Sequence, residues 1–253
     1  MELPLSNWVS AVSDTPKQPM TPTETSELRS FGRRRGRVLS PRQQRLLSDV
    51  LPAVRPQLTH PAPEQLGNLY NPPLSEVWLE IGFGGAEHLI WQAEHNPAIG
   101  MIGCEPFEDG VAKALIAVEE RGLANVRLHP DDARDLLRWL PAASIARTFI
   151  LFPDPWPKKR HAKRRLISPH LLGLLAEVMR PGAELRIGTD IGDYLRTILI
   201  AFQAEPRFCW RASGPADWRE RPADWPATRY QQKAVREGRR CYYLSFHRVD
   251  GNG

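Results

Sequence analysis

A mostly parallel α/β sheet with helices on both faces is the fold this 253-residue chain predicts, on three observations. From Ser75 onward, short apolar runs of strand character alternate with helical patterns. Glycines or single acids stand where the early strands end. Two further strand patterns then close the chain without the same alternation, which predicts seven strands with an antiparallel hairpin at the C-terminal edge.

Residues 1–27 are rich in Pro, Ser and Thr and lack periodicity, so a flexible tail is expected there. Residues 28–73 form a basic segment and linker. FGRRRGR (Phe31 to Arg37) precedes SPRQQRLL, where Ser40 caps a short helix with Pro41 at its first position. Closely spaced prolines from Pro52 to Pro73 predict an irregular connection. A single α/β domain over 74–250 is expected. SEVWLEIG reads as a strand ending at Ile81, AEHLIWQAEH as a helix, and NPAIGMIGCEP as the second strand. FEDGVAKALIAVEERG is a helix closed by Gly122. NVRLHP, then DDARDLLRWL stopped by Pro141, give the next pair, and IARTFILF is the fourth strand. SPHLLGLLAEVMRPG is a helix capped by Ser168 and stopped by Gly182. AELRIGTD and IGDYLRTILIAFQAE complete the fifth pair. RFCWRAS and RRCYYLSFHR are the terminal strands, separated by a loop rich in Pro and Trp.

The net charge of +5 favours an acidic partner such as nucleic acid. Cys104, Cys209 and Cys241 are widely spaced and form no CxxC pair, so reduced thiols in a cytoplasmic protein are expected, with no zinc site. The N-terminus lacks a signal-peptide pattern, and no run approaches the roughly 20 apolar residues that span a bilayer.

The first strand ends in Glu80-Ile81-Gly82-Phe83-Gly84-Gly85. Glycines at such a turn let a ligand approach the backbone. Position 87 is Glu where a dinucleotide fingerprint has its third glycine, and an acid there would repel a pyrophosphate. Glu105 closes the second strand, placed to hold ribose hydroxyls. Asp132 follows the third, placed to accept from an adenine amino group; Asp131 is the alternative helix cap. The set Glu80, Gly82, Gly84, Glu105 and Asp132 suits S-adenosyl-L-methionine, which is cationic and carries no phosphate.

Past the fourth strand, FPDPWPKKRHAKRR holds Asp154 between Pro153 and Pro155 and packs six Lys or Arg into the eight residues from Lys158 to Arg165. Proline stiffens such a ledge, and strand C-termini are where open α/β sheets bind ligands.

EIGFGGAEHL, GCEP, the DDA after the third strand, FPDPWPKKRHAKRR, GTD ending at Asp190 and TRYQQK from Thr228 together resemble the bacterial tRNA (guanine-N7)-methyltransferases, from about Phe31 to Phe246. The resemblance implies a Rossmann-like class I methyltransferase fold and transfer of a methyl group from S-adenosyl-L-methionine to N7 of a tRNA guanosine in the variable loop. It places the cofactor acids at Glu80, Glu105, Asp132 and Asp154, with Asp154 also catalytic. It places substrate contacts at Lys158, Asp190, Thr228, Arg229, Tyr230 and Gln231, and RNA contacts at Arg160, His161, Lys163, Arg164 and Arg165. One departure is Gln231, where the family usually has Glu. The implied protein works as a monomer or homodimer. A nicotinamide-dependent oxidoreductase and a non-catalytic RNA-binding protein are the competing readings. Trp218 and Trp225 are expected to pack against loop prolines, with base stacking as the alternative.

Overall fold

The computed structural model describes residues 34–250. The expected tail (1–27), and Phe31 to Arg33 of the basic cluster, lie outside the described residues. Seven strands form one sheet in the order β3-β2-β1-β4-β5-β7-β6. They are β1 (Glu76–Ile81), β2 (Ile99–Cys104), β3 (Val126–His129), β4 (Ile145–Leu151), β5 (Met179–Thr189), β6 (Phe208–Trp210) and β7 (Tyr242–Arg248). The first five are parallel; β7 runs antiparallel to β5, and β6 antiparallel to β7.

Crossover helices α3 (Glu87–His95), α4 (Glu108–Arg121), α5 (Ala133–Trp139), α6 (Pro169–Val178) and α7 (Gly192–Gln203) cover both faces. Successive side chains of a strand point to opposite faces, and β1 shows the result. Leu79 and Ile81 join one core with Ile102, Ile150, Leu171, Leu185 and Tyr194. Trp78 joins the other, with Phe83, Leu89, Met101, Leu115, Phe149 and Trp225. Glu80 shares the face of Trp78 and is carried beneath α3.

The chain reverses winding direction between β1 and β4. At such a switch point the loops leaving the two strands splay apart and leave a crevice.

Three expectations are corrected. The last two strands pair antiparallel at the edge as expected, but their connection, residues 211–241, contains the helices α8 (Ala216–Arg219) and α9 (Arg229–Arg236). α6 stops at Val178, four residues before Gly182, because Met179 is already extended and pairs with Ile145. Asp132, not Asp131, caps α5; it accepts from Arg134 N at 2.9 Å, while Asp131 pairs with Arg34.

Ahead of the sheet, the helical stretch begins at α1 (Pro41–Arg45), passes through a π turn at Leu46–Val50 and ends in α2 (Leu51–Val54). Ser40 caps it in a capping box with Gln43. Arg42 and Arg45 pair with Glu119 and Glu120 of α4. Exposed pairs of this kind contribute little. Leu46, with no exposed surface, is the stronger tie, worth about 1.5–3 kcal/mol by burial.

Candidate active site

The crevice at the switch point is a cavity of about 440 Å³, floored by the ends of β1 and β2, walled by the loop after β4 and rimmed by the start of α9. That size suits a small-molecule cofactor.

The glycine turn builds the floor. Gly82 and Gly84 have φ of +76° and +54°, a region that favours glycine. Glu105 locks the turn: its two carboxylate oxygens accept from Gly84 N at 2.8 Å and from Phe107 N at 2.9 Å. Each oxygen keeps a further lone pair for a ligand hydroxyl. Burial raises the Glu105 pKa, and the charges of Asp154 and Glu80 add to the rise, against the two N–H bonds that lower it. Gly110 of α4 lies against the same turn. A β-carbon there would overlap the Gly84 carbonyl oxygen and approach Glu105 Cγ to 3.2 Å.

Glu80 is buried and accepts from His88 Nδ1 at 2.7 Å. Asp132 is held by the Arg134 backbone N–H and by its guanidinium at 3.1 Å.

Across the cavity, Asp154 projects from a strained loop. Phe152 and Trp156 have φ of +51° and +42°, which is costly for bulky residues and persists only where the surroundings enforce it. Phe152 N donates to Gly188 O at 2.8 Å, and the Phe152 ring packs on Gly188. Arg164 lies over the Trp156 ring at 5.1 Å, and His161 meets the ring edge at 5.9 Å. Burial, Arg164 and Lys158 lower the His161 pKa, which favours its neutral form.

The rim is α9. Thr228 caps it, accepting from Gln231 N at 3.3 Å, and Arg229 pairs with Glu87 at the start of α3. Glu87, the acid in place of the third glycine, therefore fastens α9 over the glycine turn. Tyr230 is 61% exposed and faces the cavity. Its pKa is raised by burial of its hydroxyl and then by Asp154 and Glu105. The cavity is lined by the carboxylates of Glu80, Glu87, Glu105, Asp132 and Asp154 against the cations of Arg134, Lys163 and Arg164.

Of the residues singled out in the sequence, Glu80, Gly82, Gly84, Glu105, Asp132, Asp154, Lys163, Arg164, Thr228 and Tyr230 meet at this cavity. Others stand apart. Lys158 and Arg160 are exposed on the turn beside it. Asp190 is engaged by Arg239 Nε at 2.7 Å and does not cap α7. Gln231 is 8% exposed and leaves Oε1 without a partner behind the rim.

Arg165 departs from its expected RNA role. It is 7% exposed, donates to Pro155 O at 2.9 Å, and is bound by Thr197 and Asp193. Its guanidinium is consumed in holding the turn. Trp225 is also buried, against Tyr243 and His88, and Trp218 stacks on Tyr242.

His88 and Gln92 escaped the sequence reading, although their i, i+4 spacing on one helix face was a readable signal. Among the described residues, no group of three or more His, Cys, Asp or Glu is arranged to hold a metal ion. No helix among them is long and apolar enough to cross a membrane.

A seven-stranded sheet of this order, with an acid-lined cavity at its switch point, defines a class I methyltransferase fold. Two solved methyltransferases share it: a 16S rRNA methyltransferase, KamB (TM-score 0.53, 15% identity, 76% of this chain and 96% of that one), and an antibiotic-related methyltransferase (TM-score 0.50, 15% identity, 70% and 89%). Residues 75–244 match a family described as putative methyltransferase. The tRNA (guanine-N(7)-)-methyltransferase of Rhodospirillum rubrum is 48% identical over 233 residues, 91% of each chain. That of Mesorhizobium japonicum is 48% identical over 227 residues, 90% of this chain and 97% of its own. The chain belongs to the tRNA (guanine-N(7)-)-methyltransferase family.

Proposed function

We propose that this enzyme transfers the methyl group of S-adenosyl-L-methionine to N7 of a guanosine in tRNA, in the variable loop. The observation that carries this reading is the meeting of Glu80, Glu105, Asp132 and Asp154 in one cavity, with an exposed aromatic rim on one side and a basic turn on the other. S-adenosyl-L-methionine supplies an electrophilic methyl group on a cationic sulfonium. The donor set suits it: Glu105 would offer lone pairs to ribose hydroxyls, Glu80 would balance the cationic end, and Asp132 would accept from the adenine amino group.

Guanine N7 carries an in-plane lone pair, so no proton has to leave before methylation. The base gains positive charge as it is methylated. The protein's task is therefore alignment, and negative potential where that charge develops. Asp154 serves both, accepting from the guanine N1–H and amino group while Tyr230 offers a face for stacking. The exposed Lys158, Lys159 and Arg160 would meet phosphates. The nicotinamide reading has no support from the family, and Glu87 is committed to Arg229. A cytoplasmic location agrees with a tRNA substrate.

Incubating unmodified tRNA with enzyme and labelled cofactor, followed by nucleoside analysis, tests the reaction. Label on any nucleoside except 7-methylguanosine overturns it.

Two further results are expected. Ribose hydroxyls donate to ionised Glu105, so cofactor affinity should fall on acidification through its raised pKa, above the ordinary value of 4.5. Calorimetric titration with S-adenosylhomocysteine should show this fall, and Glu105→Gln should bind weakly and without it. Folding stability has the opposite sign. A raised pKa contributes stability at acidic pH that is lost as pH rises through the folded value.

Second, Lys159→Ala with Arg160→Ala should lower the slope of log affinity for tRNA against log salt by about 1.5–2. An unchanged slope would exclude phosphate contact at these positions. Arg165→Ala is a poor probe of RNA contact, because it removes the bond that ties the turn to Pro155.

A further inference from the structure

A chain of buried hydrogen bonds leaves the cavity floor and ends on the segment that builds the rim. Glu80 accepts from His88 Nδ1 at 2.7 Å; His88 Nε2 and Gln92 Nε2 lie 3.2 Å apart; Gln92 Nε2 is 2.8 Å from the Asp224 carbonyl oxygen. Glu80, His88 and Gln92 are 2%, 1% and 1% exposed, so water does not compete.

The proton on each bond follows from chemistry. A carbonyl only accepts, so the atom facing Asp224 O is the amide nitrogen of Gln92. The second hydrogen of that nitrogen points to His88 Nε2, which must therefore carry no proton. Its single proton sits on Nδ1 and goes to Glu80. Asn96 Nδ2 donates to Gln92 Oε1 at 3.1 Å and fixes the amide orientation from the other side.

Asp224 is four residues before Thr228, the cap of α9. Its carboxylate is held by Arg186 at 2.8 Å, and Trp225 beside it is 1% exposed. Gln92 thus holds from the cofactor side the segment that delivers Thr228 and Tyr230.

We infer that His88 and Gln92 are positioning residues that couple the two ligands: cofactor at Glu80 and tRNA at the rim each bind more tightly when the other is present. This rests on the cofactor and substrate proposed above. The physical cause is ordering. A ligand at one end fixes the hydrogen-bonded row, so less conformational freedom remains to be lost at the other. The effect must be equal in both directions.

The test is the affinity for S-adenosylhomocysteine measured with and without saturating unmodified tRNA. The wild-type ratio should be on the order of fivefold or more. Two variants cut the row differently. His88→Asn keeps an amide donor for Glu80 but is too short to reach Gln92. Gln92→Met keeps the bulk and removes both donors. Either should bring the ratio close to one, whatever it does to each affinity alone. A merely structural role would lower the melting temperature and leave the ratio intact. A wild-type ratio of one, or an undiminished ratio in whichever variant folds, overturns the coupling. Failure of the wild-type enzyme to bind either ligand would instead overturn the functional reading on which it stands.

Discussion

Asp154→Asn should lower kcat by about 10²–10³-fold, the usual cost of removing one electrostatic contact made as charge develops. The fold should be untouched, because Asp154 is an exposed side chain on a loop held by other groups: the Phe152 N–H on Gly188 O and the Arg165 guanidinium on Pro155 O. Asn preserves shape but loses the charge that, in the proposed reaction, would match the methylated base, and one of its two polar atoms becomes a donor. Single-turnover rates with saturating cofactor and tRNA would measure the step directly. A variant that turns over within about threefold of wild type would leave Asp154 with no electrostatic part in the reaction.

Gly110→Ala should affect cofactor binding more than any surface change, although Gly110 is not among the residues that line the cavity. A β-carbon at this position has nowhere to go, since the backbone carbonyl of Gly84 occupies its space and Glu105 stands beside it. Relief requires α4 to move away from the glycine turn. That movement stretches the bonds from Gly84 N and Phe107 N to the Glu105 carboxylate. Overpacking of this kind costs about 1–3 kcal/mol of stability. The affinity for S-adenosylhomocysteine should fall at least tenfold, while tRNA affinity measured without cofactor changes little. Equal losses in both would point to general unfolding. Thermal melting of the same samples separates the two causes.

The parallel half of the sheet was legible because strand and helix periods alternate cleanly through residues 75–203. The acids at strand ends were legible for a related reason: a buried parallel strand is apolar, so a Glu or Asp just past its end stands out. The C-terminal part was not. Residues 211–241 contain two helices of eight residues or fewer among prolines and tryptophans, too short for a helical period to show. Neighbouring residues of one type were also beyond sequence. Asp131 and Asp132 differ only in which one the start of α5 turns inward. Arg164 and Arg165 differ only in which side of the basic turn each occupies. One guanidinium lies on Trp156 at the cavity, and the other is buried over Tyr194. The i, i+4 spacing of His88 and Gln92 marks one helix face, but their partner at Asp224, 132 positions from Gln92, leaves no trace in any local pattern.

The buried Arg165 gives the basic turn an unexpected property. Its guanidinium joins the turn to the Pro155 carbonyl, next to Asp154, and to α7 through Asp193 and Thr197. The turn that carries the cations is therefore tied to the backbone beside Asp154 and to α7. On the function proposed above, a backbone phosphate caught on the turn would set how far along the RNA the base at Asp154 falls. Selection of the target guanosine would then be partly a matter of length, with the protein as a gauge between a phosphate and a base.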